Sequence, residues 1–389
     1  IVTAIGAVVM PYAKRTVDAE IPMNRVYLFY TMLLLCETGL LGIAITGDAF
    51  NLFVFLEISS LSSYVLISLG MDRRCLTAAY RYLIMGTIGA TFYIIGVGLM
   101  YMVTGTLNIA DLAILVPEMV DSRTIHAALA FLTVGLALKA ALFPLHMWLP
   151  NAYAYAPSAV TVFLAATATK VAIYAFIRVV FTIFGDIDIL AALPIRYLLM
   201  GLAIAAMFAG SAVAIYQNNA KRLLAYSSVA QIGYMILGIS MDSVTGVTAG
   251  IVHLFNHALM KGALFMALGA IMLQTGSVDL RDMRGIGHRM PLTMAAFVVG
   301  GLSLIGVPLT AGFVSKWYLI QAALEAGWWP LAVLIVFSSL LAVIYIWRIV
   351  EIAYLQPNLE MPKAREPEPM SLLIPMWVLA GATIYFGVD

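Results

Sequence analysis

A lysine and a proline, Lys139 and Pro144, stand inside Gly135–Leu149 (GLALKAALFPLHMWL), a run otherwise apolar enough to lie across a bilayer. An ammonium in hydrocarbon costs about 2.5–3.5 kcal/mol on insertion scales, so it persists only where a cavity or counter-ion receives it. Proline removes a backbone hydrogen bond and breaks the helix, leaving polar backbone groups at membrane depth. A charge beside a helix break is a recurrent arrangement in membrane proteins that move ions. The stretch therefore demands partners from elsewhere in the chain.

Composition sets the class. Of 389 residues, 63% are hydrophobic and only 11% charged, with a mean hydropathy of +0.99. Soluble domains carry about a quarter charged residues. Too little polar material remains to cover a water-facing surface, so an all-α polytopic membrane protein is expected. The net charge of +1 gives no sign of a nucleic-acid partner. Cys36 and Cys75 lack metal-ligand spacing and read as apolar packing positions or inert thiols.

At ~20 apolar residues per crossing, spans are expected near Val26–Thr46, Ala49–Leu69, Thr77–Val103, His126–Leu149, Ser158–Phe184 and Tyr197–Tyr216. Others follow near Leu223–Ser240, Val244–Leu273, Leu292–Leu324, Trp328–Leu355 and Met370–Val388. That makes about eleven spans plus an N-terminal stub, Ile1–Tyr12. The stub reads as the end of an apolar span, so the chain is expected to lack its native N-terminus, and the abrupt end of the last span raises the same expectation there. Alternating loops put thirteen Lys and Arg on one side, among them Lys14, Arg73, Lys221, Arg281, Lys363 and Arg365. Only Arg123 and Arg196 fall on the other. The positive-inside rule then makes the first side cytoplasmic.

Leu292–Leu324 is too long for one straight crossing, and Pro308 in its middle reads as a second break. Counting five spans from Val26 puts the Pro144 helix fourth. Counting five from Tyr197 puts the Pro308 helix fourth again. Five is odd, so the second set is expected to be inverted, and matched interruptions in inverted halves point to a transport pathway. The expected organisation is a single transmembrane domain, 1–389, with repeats at 26–184 and 197–355 and a last helix at 370–389.

Ionisable residues inside spans are functional candidates. Glu57, mid-span, reads as the counter-ion of Lys139, whose separation would favour the neutral amine and release a proton. Its alternative is a hydrogen-bonded carboxyl beside Ser60. Lys170 is a second central lysine, with snorkelling as its alternative. Lys316 follows the Pro308 break and could end a proton path. His253, His257 and Lys261, at i, i+4 and i+8, share a helix face over roughly 12 Å of depth. They read as a proton ladder, since neutral imidazole both donates and accepts. Structural histidines or a metal pair are the alternatives, but the span has no thiolate and no nearby carboxylate. Glu37 and His146 are accessory candidates: Glu37 could pair with an intramembrane lysine, and His146 could admit protons or cap freed carbonyls. Lys221 and Arg222 read as interfacial anchors. No P-loop, dinucleotide fingerprint, nucleophile elbow or cysteine cluster is present, so no catalytic site, metal or organic cofactor is expected.

Five stretches carry a family resemblance: Asp48–Tyr64 (DAFNLFVFLEISSLSSY), Leu138–Ala156 (LKAALFPLHMWLPNAYAYA), Lys221–Tyr234 (KRLLAYSSVAQIGY), His253–Gly262 (HLFNHALMKG) and Gly306–Trp317 (GVPLTAGFVSKW). Together they resemble the antiporter-like proton-translocating subunits, which occur in Mrp-type sodium/proton antiporters and in the membrane arm of respiratory complex I. The wording around Glu57 is most similar to the D-type subunit of the Mrp antiporters. The resemblance implies inverted five-helix repeats with one broken helix each. It assigns Glu57 and Lys139 as the paired carboxylate and lysine, Lys170 as the central lysine, His253 and His257 as the relay, and Lys316 as the lysine near the exit. Glu37 is outside the motif set. The expected function is a non-enzymatic subunit of a cation/proton antiporter in a prokaryotic-type plasma (inner) membrane, with other membrane subunits, protons, sodium and lipid as partners. A proton-pumping subunit of a redox complex is the alternative. A purely structural scaffold would place its charges at helix ends instead.

Overall fold

The computed structural model describes residues 1–119, 121–185, 195–356 and 368–388. Lys363, Arg365 and the terminal Asp389 lie outside the described residues. The long elements are α1 (Val2–Glu20), α2 (Val26–Ile45), α3 (Ala49–Ser68), α4 (Arg73–Thr104) and, after the short α5 (Ile109–Leu115), α6 (Arg123–Lys139). Next come α7 (Leu149–Tyr155), α8 (Ser158–Arg178), α9 (Ile195–Ile215), α10 (Ala220–Ser240) and α11 (Val244–Thr275). The short α12 (Ile286–Arg289) precedes α13 (Pro291–Ile305), α14 (Ala311–Glu325), α15 (Trp329–Leu355) and α16 (Met370–Val388). Among the described residues there is no strand, only two isolated bridges.

Nine helices among the described residues are long and apolar enough to span a membrane. The two further spans expected from sequence are the broken ones, and their halves are too short to qualify alone. His126–Leu149 divides into the 17-residue α6 and the 7-residue α7. Leu292–Leu324 divides into the 15-residue α13 and α14. Around Pro144 the backbone turns left-handed at Ala141 (φ 58°), and around Pro308 at Gly306 (φ 90°) and Leu309 (φ 69°). Gly306 is needed twice over: its φ favours glycine, and a Cβ there would lie 2.9 Å from the Lys316 stem. The N-terminal stub is longer than expected. Its helix runs on to Glu20 and is held by Tyr12, whose hydroxyl donates to Met266 O at 3.0 Å.

Packing sorts the spans into centre and periphery. In α8, α10 and α11, 83%, 94% and 78% of the span is buried, against 33–39% for the peripheral α2, α4, α9, α15 and α16. The spans are only weakly amphipathic, so close approach rather than a polar–apolar division selects neighbours. At the α9–α10 contact, a Cβ on Gly210 would lie 2.7 Å from Ala230 N, and one on Gly233 2.7 Å from Ala203 O.

Matched junctions recur in the two segments. Asp48 caps α3 through Asn51 N (2.7 Å), and Asn219 caps α10 through Arg222 N (3.1 Å). Each capping residue also forms an isolated bridge, to Asn108 and Asp279 respectively. Both bridge partners follow a 32-residue helix closed by a left-handed glycine, Gly105 or Gly276. An arginine from the fifth helix of each set seals a helix end: Arg178 donates to Thr46 O (2.6 Å) and Arg348 to Ile215 O (2.5 Å). Thr104–Asp111 (TGTLNIAD) and Thr275–Asp282 (TGSVDLRD) form similar loops, sharing their first two residues and the closing aspartate.

Candidate functional site

Lys139 is the last residue of α6, where unpaired terminal carbonyls favour a cation. Its ammonium reaches across to α3, donating to Glu57 Oε1 at 3.2 Å and to Ser60 Oγ at 2.6 Å. The lysine is buried, while the carboxylate remains 24% exposed. The pair therefore joins a fully packed side chain to one at the edge of the bundle. Sequence offers pairing and bonding to Ser60 as alternatives for Glu57; the geometry pairs Glu57 with Lys139, and Ser60 bonds the same ammonium instead of the carboxylate. The break itself is sealed by Trp148, whose indole N–H donates to Leu138 O at 3.0 Å and whose ring stacks on Tyr82.

Lys170 does not snorkel. It is buried in α8, donates to Ala165 O of its own helix, and lies within electrostatic reach of His253, His257 and Lys261 on α11. A cavity of about 250 Å³ reaches it between α1, α2 and α11, walled by Val2, Leu41, Ala44, Val171, Tyr174 and Leu254.

On α11 the three residues at i, i+4 and i+8 are fully buried. Their surroundings differ. His253 is held at both nitrogens, by Ser315 Oγ at 2.8 Å and Gln231 Oε1 at 2.9 Å. His257 stacks on His253 with ring centroids 6.3 Å apart, and neither of its nitrogens has a partner among the described residues. Lys261 donates to Leu224 O at 2.8 Å and Ser227 Oγ at 2.6 Å on α10. Neutral imidazole offers one donor and one acceptor, so His257 can take or give a proton without first breaking a bond.

Lys316 lies on α14 but serves the other side of its break. Its ammonium donates to Leu304 O (3.0 Å) and Ile305 O (2.9 Å), the last carbonyls of α13, and sits 4.8 Å from the centre of the Tyr234 ring. Each broken helix thus ends on a lysine ammonium, supplied by α6 itself in one case and by the helix across the gap in the other.

The accessory candidates stand apart. Glu37 packs so closely against α1 that a Cβ on Gly6 would collide with its Oε1, and no lysine pairs with it among the described residues. His146 stacks near Phe143 with Nδ1 unpartnered, and Trp148 rather than His146 caps the freed carbonyl. Among the described residues no three His, Cys, Asp or Glu gather as a metal site.

The chain matches the family model for the transmembrane region of NADH:quinone oxidoreductase and Mrp antiporter subunits over residues 46–342. It belongs to that family. The N-type subunit of the NADH-quinone oxidoreductase from Desulforudis audaxviator is 43% identical over 100% of this chain and 79% of its own length. The D-type subunit of the Na(+)/H(+) antiporter from Alkalihalophilus pseudofirmus is 33% identical over 98% of this chain and 76% of its own. A chain of the Mrp complex from Dietzia sp. DQ12-45-1b superposes with a TM-score of 0.89 at 30% identity, covering 100% of this chain and 79% of that one. The chain is an integral, multi-pass membrane protein and an antiporter-like proton-translocating subunit.

Several side chains at the site escape a reading based on charge. Gln231, Ser227, Ser315 and Tyr234 are neutral, and only their position on α10 and α14 brings them to a histidine or a lysine. The signal available in the sequence is a polar face at four-residue spacing, Ser227 and Gln231, in a helix with no water to face. Lys221 departs from its expected place as an interfacial anchor. It is only 3% exposed and bonded to Ser158 Oγ at 2.9 Å.

Proposed function

We propose that this chain conducts protons across the membrane along Glu57, Lys139, Lys170, His257, His253 and Lys316, within a complex of several membrane subunits. The observation that carries this is His257: a buried imidazole with both nitrogens unpartnered, stacked on a histidine that is hydrogen-bonded at both of its own. A purely structural histidine would be satisfied. Charge on Lys139 is held by Glu57 and released when the two separate, sending a proton toward Lys170. Lys261 lies within reach of Lys170 and supplies a reservoir beside the ladder. The two sets of five helices, 26–184 and 197–355, are inverted halves of one pathway. The matched caps, 32-residue helices and sealing arginines support this.

The energy source lies on other chains, and two readings of it follow. As part of a cation/proton antiporter in a prokaryotic-type plasma membrane, the chain would couple protons to sodium flux, which the Mrp backbone match supports. As part of a redox-driven complex it would pump protons for an enzyme whose chemistry lies on partner chains, which the 43% identity to a quinone-reductase subunit supports. Purification of the native complex, with partners identified by mass spectrometry, separates them by the presence of flavin or iron–sulfur subunits. In either complex, full proton flux with both Glu57→Ala and Lys139→Ala would overturn the proposed path.

A further inference from the structure

A second buried polar cluster lies outside this path, on the lysine- and arginine-rich side. Glu20, at the end of α1, accepts from Ser158 N through Oε2 at 2.6 Å, while Oε1 is buried with no partner. Lys221, at the start of α10, donates to Ser158 Oγ at 2.9 Å and Ala156 O at 3.4 Å, and feels the Glu20 charge. Ser158 therefore joins a carboxylate and an ammonium from opposite segments of the chain. Beside them, a Cβ on Gly269 would collide with Tyr12 Oη and Ser158 Cβ, so glycine lets α1, α8 and α11 pack closely against the cluster.

Two features give the cluster a direction. Next to its residues in the chain, a polar cavity of about 380 Å³ is walled by Tyr155, which adjoins Ala156, by Arg222, which follows Lys221, and by Arg74, Asn219, Asp279 and Arg281. Inside it, Lys221 stands three residues before Leu224 on α10, about 4.5 Å along the axis. Leu224 O and Ser227 Oγ are the groups that hold Lys261. Chain neighbours thus join the cavity wall to the Lys221 cluster and, about one turn further along α10, to the groups that hold Lys261.

We propose that Glu20, Ser158 and Lys221 form an aqueous port through which protons reach Lys261 from the basic side. For its proton role the proposal rests on the function argued above; its accessibility does not. The Lys221 ammonium passes a proton toward the neutral Lys261 amine, and the Glu20 carboxyl, protonated by water from the basic side, returns a proton to the Lys221 amine. Glu20 as a mere clamp on the α8 N-terminus would leave its second oxygen without a purpose.

The test uses the full-length protein in its native complex, in vesicles, with Cys36 and Cys75 replaced by serine. Lys221→Cys, and Ser158→Cys as a second site, are exposed to a membrane-impermeant thiol reagent from the basic side. Labelling of either from that side is expected. Failure of both to label in folded complexes overturns the port whatever the chain conducts. In proton flux, Glu20→Gln keeps an acceptor for Ser158 N but cannot shuttle a proton, and a loss of about tenfold is expected. Glu20→Ala is expected to regain flux when acetate is added on the basic side, a rescue that a structural clamp would not show. Full flux in Glu20→Gln overturns the port. Full flux in Lys139→Ala instead overturns the function above and leaves the labelling result standing.

Discussion

The two breaks hold their lysines in different ways. In the first half, Lys139 meets a carboxylate, Glu57, a side chain that can swing away on its rotamers. In the second, Lys316 is held by two backbone carbonyls and an aromatic face, and backbone cannot withdraw without unwinding α13. The neighbouring residues follow suit: Ser60 assists the ion pair, while Gln231, at the matching depth after its capping residue, holds the His253 imidazole. The contrast separates a charge whose partner can leave from one whose partner is fixed. In the proposed pathway the first half is the movable gate and the second is the fixed conduit.

The comparison breaks most readily at the lysines. Lys139→Ala is expected to cut proton flux by about a hundredfold, the low end for a lost proton-transfer group, measured in vesicles containing the native complex. Lys316→Met should match that loss and also destabilise the fold by about 1–3 kcal/mol, since it strands two carbonyls. Thermal unfolding in detergent should therefore separate the two variants. An equally stable Lys316→Met would remove the distinction between side-chain and backbone partners.

Exchanging the partners sharpens the contrast. Glu57→Gln keeps an acceptor for Lys139 but no charge, and about a tenfold loss of flux is expected because the ammonium is no longer favoured. Gln231→Glu gives the second half a counter-ion, which should pin His253 in its charged form and slow flux about tenfold. If Gln231→Glu were silent, the neutrality of the second half would be incidental. Ser60→Ala removes one of two acceptors from Lys139 and is expected to cost about 0.5–1.5 kcal/mol and at most a few-fold in flux. Glu37→Gln should leave flux unchanged. A loss there would bring α2 into the path.

Much of the site is legible from composition alone, because hydrocarbon makes every buried charge conspicuous. Glu57, Lys139, Lys170, His253, His257, Lys261 and Lys316 all announce themselves against apolar flanks, and Pro144 and Pro308 mark the breaks. Lys221 misleads because its position beside Arg222 at a span boundary matches interfacial anchoring, and burial there depends on α7 and α8 folding over it. Gln231 and Ser315 carry no charge and give no such signal. The stub looks shorter in sequence than it is because Lys14 and Arg15 interrupt its hydropathy, although the helix continues through them.

Sequence by itself determined that this chain lies in a membrane, where its helices break, and which ionisable groups the bilayer cannot tolerate unpartnered. The energetic cost of those groups is a local property, so local sequence reveals it. Only the tertiary structure decided most of who meets whom: Gln231 with His253, Lys316 with the end of α13, and Ser158 between Glu20 and Lys221. Weakly amphipathic helices give little orientation to read, and many of these partners are backbone carbonyls or neutral side chains that packing alone brings into reach.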